Sequence, residues 1–222
     1  MKPSLKILLA FSFVNLALLI MGFYYSLPDR HDAAVFLEKM NVFYIGVDNP
    51  VQISACGLPP TELHPTISSG SITLDNRPGN YIVRVTGGTT ADISVLQNDS
   101  VKINLGTFRF RVKRVPDPVA YFGNLKADGN MTKAEILNNV GIFARMENFD
   151  FDIKFNVVSF SMLVMENGKC KEYKSVSPAI TPEMKDVLKT TMPGDMVFFE
   201  KVIVLGPDGT LRKIPGIMIN VK

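Results

Sequence analysis

The residues best placed to do chemistry lie in "NFDFDIKF", positions 148–155. Asp150 and Asp152 alternate with Phe149 and Phe151, so in extended chain both carboxylates share one side and both rings the other. Two neighbouring carboxyl groups can divide acid and base work between them, provided their surroundings push their proton affinities apart. The stretch continues with Ile153, Phe155 and Val157 on the ring face, and Lys154 and Asn156 on the carboxylate face. A wet face shared with a lysine separates the two acids in no way, so they read as the solvated side of a strand, and no catalytic residue is assigned. Past Asn156 the pattern inverts: Val158, Phe160, Met162 and Val164 are apolar, and Ser159 and Ser161 are not. Either a bulge or a strand that crosses to another sheet or partner does this. Asn156, Val157 and Val158 are therefore the candidate strand-exchange segment.

Other chemistry finds little support. His31 and His64 are the two histidines, and neither has a recognisable serine or cysteine partner in sequence. Cys56 and Cys170 are far apart, form no Cys-x-x-Cys or zinc pattern, and read as two buried thiols. No metal or cofactor is implied. "VTGGTT" lacks the lysine of a phosphate loop, and "DNRPGN" and "GPDGT" read as hairpin turns rather than calcium loops. Asn98–Ser100 and Asn130–Thr132 match the short glycosylation pattern. Tryptophan is absent, which weakens any sugar-stacking surface. The formal charge of +3 includes Lys2 and Lys6, and the remainder carries only +1, no footprint for nucleic acid. Arg109, Arg111 and Lys113 alternate with Phe108, Phe110 and Val112, the pattern of a strand with one wet face.

The elements that would position these residues are mostly strands. Residues 1–26 join a basic start to an apolar run, Ile7 to Tyr25, long enough to cross roughly 30 Å of hydrocarbon. They read as a membrane anchor or a cleaved export signal, with everything beyond exported. Residues 27–40 read as a spacer in which "DAAVFLEKM" adds a helical turn. Over 41–115, turn residues recur every 8–12 positions, the rhythm of a β-sandwich. Strands are expected on both sides of Asp48-Asn49-Pro50, with "GLPPTELHPTISSG" as a proline-rich loop. "VPDPVA" breaks the rhythm: Pro116, Asp117 and Pro118 form a stiff junction between two modules. Over 116–222 the texture is β with two short helices. The first has Thr132 and Glu135 as a capping box, Ile136, Leu137 and Val140 inward, and Gly141 at its stop. The second has Thr181 as its cap, Pro182 at its first position, and Met184, Val187 and Leu188 inward. A long strand is expected from Asn148 to Met165, turning at Asn167-Gly168. A last hairpin turns at Pro207-Asp208-Gly209 and is interrupted at Pro215-Gly216.

"FYIGVDNPV", "PGNYIVRV", "FRFRVKRVPDPVAYFG", "NFDFDIKFNVVSFSM" and "VLGPDGTLRKI" together, in this order over residues 41–222, closely resemble the C-terminal half of the GldM family, also called PorM, of Bacteroidetes gliding motility and type IX secretion. The resemblance implies an Ig-like module followed by a second β-rich module, within an elongated homodimer that exchanges segments between protomers. It implies periplasmic placement with an inner-membrane helix, a GldL-type membrane partner in a proton-driven motor, and an outer-membrane ring of lipoprotein and periplasmic subunits contacted by the last domain. The family's membrane helix carries an acidic residue. Here none lies between Ile7 and Tyr25, and Asn15 is the one strongly polar residue there. The family also has a helical bundle and another β-domain where this chain has residues 27–40. Binding the ring or another envelope partner is thus the part of the role expected here. An adhesion or ligand-binding module on the same scaffold is the alternative, and an unrecognised hydrolase comes third.

Overall fold

Alternating apolar and polar residues set the architecture, because each strand needs one face out of water. A computed structural model describes residues 32–38, 41–97, 102–166 and 169–222. The expected anchor or signal at 1–26, Asn15, His31, the pattern at Asn98–Ser100 and the Asn167-Gly168 turn lie outside the described residues. Among the described residues no helix is long and apolar enough to cross a membrane. The described residues are mainly β, with two short α-helices and an Ig-like β-sandwich as the first body.

The sandwich packs two four-stranded sheets. One runs β1 (Ala33–Leu37), β3 (Asn49–Ala55), β6 (Asn80–Arg84), β5 (Ser71–Leu74). The other runs β2 (Val42–Tyr44), β8 (Ile103–Lys113), β7 (Thr90–Gln97), β4 (Leu63–Ile67). Phe43, Val51, Ile53, Val83, Ile93 and Val95 fill the space between them at no more than 1% exposure. The Tyr81 hydroxyl crosses the core to the Leu63 carbonyl, 3.3 Å away. Tyr81, Val83 and Val85 point inward and Arg84 outward, as the alternation predicts.

Three local expectations change. The apolar run at 33–37 is strand β1, antiparallel to β3, not a helical turn, so the sandwich begins inside the segment read as a spacer. Five residues of the proline-rich loop form strand β4, where Pro65 is tolerated because β4 is the last strand of its sheet. Two strands flank the Asp48-Asn49-Pro50 turn as expected, but they belong to different sheets. β2 pairs in parallel with β8, whereas β3 lies in the opposite sheet and already includes Asn49 and Pro50.

The second body is built on a six-stranded sheet. β10 (Gly129–Met131), β16 (Ile217–Val221), β14 (Met196–Leu205), β12 (Asn156–Glu166) and β13 (Lys169–Ser175) follow in that order, with β15 (Leu211–Ile214) also on β14. A two-stranded ribbon, β9 (Val119–Phe122) and β11 (Ile142–Arg145), packs against it. Helices α1 (Lys133–Asn138) and α2 (Pro182–Thr190) bury Ile136, Met184 and Leu188 into the same core. Leu137 and Val187 are half-buried. Val140 is 68% exposed, against expectation, because α1 already ends at Asn138 with Asn139 as its cap. Gly141 is held instead in a bridge to Ala179. Between β15 and β16, Gly216 approaches the Phe199 carbonyl so closely that a Cβ would lie 2.0 Å from its oxygen.

Both helix starts carry the caps that the sequence predicts. Thr132 and Glu135 form the reciprocal box, with Glu135 accepting from the Thr132 N–H at 2.7 Å. The same bonds hold the Glu135 carboxyl below its usual range. Thr132→Ala removes the box and is expected to cost about 1 kcal/mol, read as a lowered urea midpoint at unchanged slope.

The inversion along β12 has a local cause. Val157 pairs with Val204 and Ser159 with Ile203, so Val158 is an extra residue on β12, and it is 37% exposed. A second shift puts the extra residue on β14, where Lys201 takes φ 52°. Val157 and Phe160 are therefore both buried although they are of opposite parity. Asn156, Val157 and Val158 form the start of β12, on the partner strand β14 of their own chain.

Candidate functional site: the seam between the two bodies

The Asp150–Asp152 stretch is not strand: the chain bends at Asn148, Asp150 and Phe151, β12 begins only at Asn156, and 148–154 has no ladder. The face alternation nevertheless holds, with Phe151 buried, Phe149 half-buried, and Asp150 and Asp152 exposed. The rings have a different partner from the one expected. Phe149 and Phe151 stand edge-on to Tyr44 of the sandwich, with centroids 4.9 and 5.5 Å away. Such aromatic pairs contribute about 0.5–1.5 kcal/mol beyond their area. The carboxylates face solvent as a consequence of that docking, whereas acid–base pairing needs one carboxyl withdrawn from water. The stretch that looked most like chemistry is the second body's contact with the first.

Strand β2 serves both cores. Phe43 turns into the sandwich and is fully buried against Phe110, at 5.0 Å. Its neighbours Val42 and Tyr44, and then Val47, belong to the core of the second body. The loop after β2 is fixed from within by Asn49, which is 2% exposed. The Tyr44 N–H donates to Asn49 Oδ1 at 2.8 Å. Asn49 Nδ2 faces the carbonyls of Tyr44, Val47 and Val83 at 3.0, 3.0 and 3.1 Å. At the tip, Gly46 has φ +78°, and a Cβ there would lie 2.4 Å from the Pro207 carbonyl oxygen of the other body. Only glycine combines that backbone with that approach.

A polar clamp is built on the same turn, beginning at the residue after Pro207. Asp208, in the β14–β15 turn, has a side chain 4% exposed, and Arg212 on β15 is 8% exposed. They pair at 2.7 Å. Arg114, at the end of the sandwich, reaches Asp208 at 3.0 Å and also bonds the Thr210 hydroxyl. Arg212 donates to the Val115 carbonyl at 2.7 Å and to Asp117 at 3.0 Å, and its guanidinium lies 5.4 Å from the centroid of the Phe155 ring. Burial by itself would raise the Asp208 carboxyl. Hydrogen bonds from Thr210, Arg212 and Arg114 outweigh it and hold the carboxyl well below the usual carboxylate range. Asp117, between Pro116 and Pro118, is thus tied to the second body. The "GPDGT" turn is a hairpin turn, with Gly209 at φ 73°, and also the centre of this clamp.

Beside the seam lies an open cleft of about 340 Å³. Gly46, Val47, Asp48 and Arg84 line it from one body, and Phe151, Asp152, Ile153, Lys154 and Pro207 from the other. Arg84 bonds Asp48 at 2.6 Å. A second open cleft, about 470 Å³, is walled by the side chains of Asn124, Asn130, Asn138 and Asn139 over Leu125 and Met131. A polar cluster missed in the sequence spans β13, β12 and β14. The Ser161 hydroxyl donates to Glu172 at 2.7 Å, and Lys201 meets the same carboxylate at 2.9 Å. Lys201 first and Ser161 second hold Glu172 low. The serine's proton goes to a carboxylate already paired with lysine, an arrangement that braces three strands and activates no nucleophile.

The remaining candidates disperse. His64 is exposed on β4. Cys56 and Cys170 are both exposed and outside any disulfide, which corrects the buried reading, since Cys56 lies in the turn after β3 and Cys170 near the start of β13, the last strand of its sheet. Among the described residues no cluster of His, Cys, Asp and Glu could hold a metal ion. Arg109 is paired with Asp92 at 2.8 Å on the wet face of β8.

Among solved structures, the chain is similar to fibronectin(III)-like modules of Clostridium thermocellum CbhA, at 14% identity and TM-score 0.26, covering 85% of this chain and 94% of that one. It is also similar to the mixed-linkage glucan locus protein SGBP-B of Bacteroides ovatus, at 10% identity and TM-score 0.26, covering 84% of this chain and 44% of that one. Human protocadherin-24 EC1-2 matches at 10% identity and TM-score 0.26, covering 86% of this chain and 97% of that one. TM-scores this low carry nothing about what the chain binds. No curated protein sequence matches it. Family models do: the GldM third domain over residues 33–113 and the GldM C-terminal domain over residues 116–222. The two matches meet at the seam and together take in both bodies; the chain belongs to the GldM family.

Proposed function

We propose that the protein is a non-enzymatic, structural and binding component of the gliding or type IX secretion machinery, held in the periplasm by an inner-membrane segment at its N-terminus and acting as a homodimer. The observation that carries this reading is the pair of family matches, third domain followed by C-terminal domain, running unbroken in order through both bodies. The family is one of motility and secretion components. The polar groups at the seam support a structural role, since Arg114, Asp117, Asp208 and Arg212 are consumed by contacts with one another. The partners proposed are outer-membrane ring lipoproteins or periplasmic ring subunits, and a GldL-type membrane protein. No residues are assigned to those contacts.

The test is an affinity purification of the C-terminally tagged full chain from detergent-solubilised native membranes, with mass spectrometry and an untagged control. Recovery of ring subunits or a GldL-type protein supports the reading, and which of them is recovered separates docking from motor coupling. Recovery of intact dimers with neither overturns it in favour of an adhesion or ligand-binding use of the scaffold.

A further inference from the structure

We propose that the seam has no hinge: the two bodies form one rigid unit that bends, turns and unfolds as a single piece. This inference goes beyond the proposed partners and holds whatever the chain binds.

Bodies joined by a linker are expected to move relative to each other unless the interface between them is large and apolar. Three contacts remove that freedom here. The first is a shared strand: β2 sends Phe43 into one core and Val42 and Tyr44 into the other, so neither body can rotate away without exposing part of its own interior. The second is the backbone contact of Gly46 with Pro207, which leaves no gap to close on that side. The third is the clamp one residue further along the same turn, where Arg114 of the sandwich holds Asp208 of the second body and Arg212 of the second body holds Val115 and Asp117 of the connection. The close approach of Gly46 to Pro207 resists compression of the seam, and the clamp beside it resists opening. The connection itself is stiff, because Pro116 and Pro118 each fix a backbone angle. The docking loop is also stiff, because Asn49 ties it to both β2 and β6.

The experiment is a pulsed electron-spin distance measurement on the full chain. Nitroxide labels are placed at Thr73→Cys on β5 and Lys185→Cys on α2, both exposed positions, with Cys56 and Cys170 replaced by serine. Labelled chain is diluted into unlabelled chain so that only distances within one molecule are read. The expected result is one narrow distance. The double variant Tyr44→Leu, Arg114→Gln leaves the Arg212–Asp208 pair in place, and circular dichroism checks that its strand content is kept. In this variant the narrow peak is expected to be lost to a broad distribution. A broad distribution in the parent chain overturns the proposal. So does an unchanged narrow peak in the folded double variant, because the named contacts would then not be what fixes the angle. Where the double variant does not fold, Gly46→Ala, which intrudes on the backbone of Pro207 and Asp208, takes its place with the same two readings.

Discussion

Arg212→Ala is expected to lower the stability of the chain by about 3–5 kcal/mol, the cost of removing one partner from a buried ion pair. Against a total of about 5–15 kcal/mol for a domain, that is a large share. The argument rests on what is left behind. Asp208 has a side chain 4% exposed and would keep only Arg114 and Thr210 as partners, with a cavity where the guanidinium had been. The Val115 carbonyl and Asp117 would lose their donor as well. Arg212→Lys should fall between parent and alanine, because an ammonium supplies the charge without the planar fork that reaches Val115, Asp117 and Asp208 together. Urea denaturation at neutral pH ranks the three.

The same pair fixes a dependence on pH. The Asp208 carboxyl titrates below its ordinary value in the folded chain and near 3.9 in an unfolded one. A depressed carboxyl contributes stability that is fully present above the unfolded value and is lost as pH falls through that value toward the folded one. The parent should therefore lose stability on acidification below about pH 4. Asp208→Asn is expected to be weaker than the parent at pH 7, since two arginines then face a neutral amide, and to lose less on acidification. Asp92, Glu135, Glu147 and Glu172 are also held low by their partners, and they contribute equally to both proteins. The difference between the two acid profiles isolates Asp208. Parallel profiles would mean that the clamp does not hold its carboxylate.

What a sequence displays is which side of the chain is wet, and where the chain turns. The alternation through 149–157 placed the rings inward and the acids outward correctly, and the inversion near Val158 marked a real bulge. The caps at Thr132 and Thr181 and the turn at Gly209 were legible because their chemistry is local. Pairing is not local. Nothing within 148–154 reveals that the segment lacks a ladder, because alternation reports burial and not the neighbour that supplies it. β1 is illegible for a related reason: five consecutive apolar residues show no clear period, and docking on β3 decides their conformation. The clamp was the least visible feature. Asp208 sits in a motif that turn chemistry explains completely, Arg212 and Arg114 look like surface charges, and only the folded chain brings the three together. One trace was available: Asp208, Thr210 and Arg212 alternate, which puts them within reach of one another across a tight turn.

Asn49→Ala is expected to cost about 3 kcal/mol and to loosen the seam at the same time. Four hydrogen bonds end on this one side chain, inside a region 2% exposed, and the Tyr44 N–H has no water to turn to when Oδ1 is removed. An unsatisfied buried group costs about 1–3 kcal/mol, and the carbonyls of Tyr44, Val47 and Val83 add to the loss. Asn49→Asp separates the bonding from the volume. It keeps an acceptor for Tyr44 but aims a second oxygen at three carbonyls, so at neutral pH it should be less stable than alanine despite its closer shape. Protonation would restore one donor, and the aspartate variant should regain ground on alanine as pH falls, opposite in direction to the acid loss of the parent. Because residues 44–47 also carry Tyr44, Gly46 and Val47 into the seam, either variant should show its effect in two readouts. The urea midpoint should drop, and the distance between labels on the two bodies should broaden under conditions where the strands are intact. A drop in midpoint with no broadening would place Asn49 in the sandwich alone and leave the rigidity of the seam to Tyr44 and the Asp208 clamp.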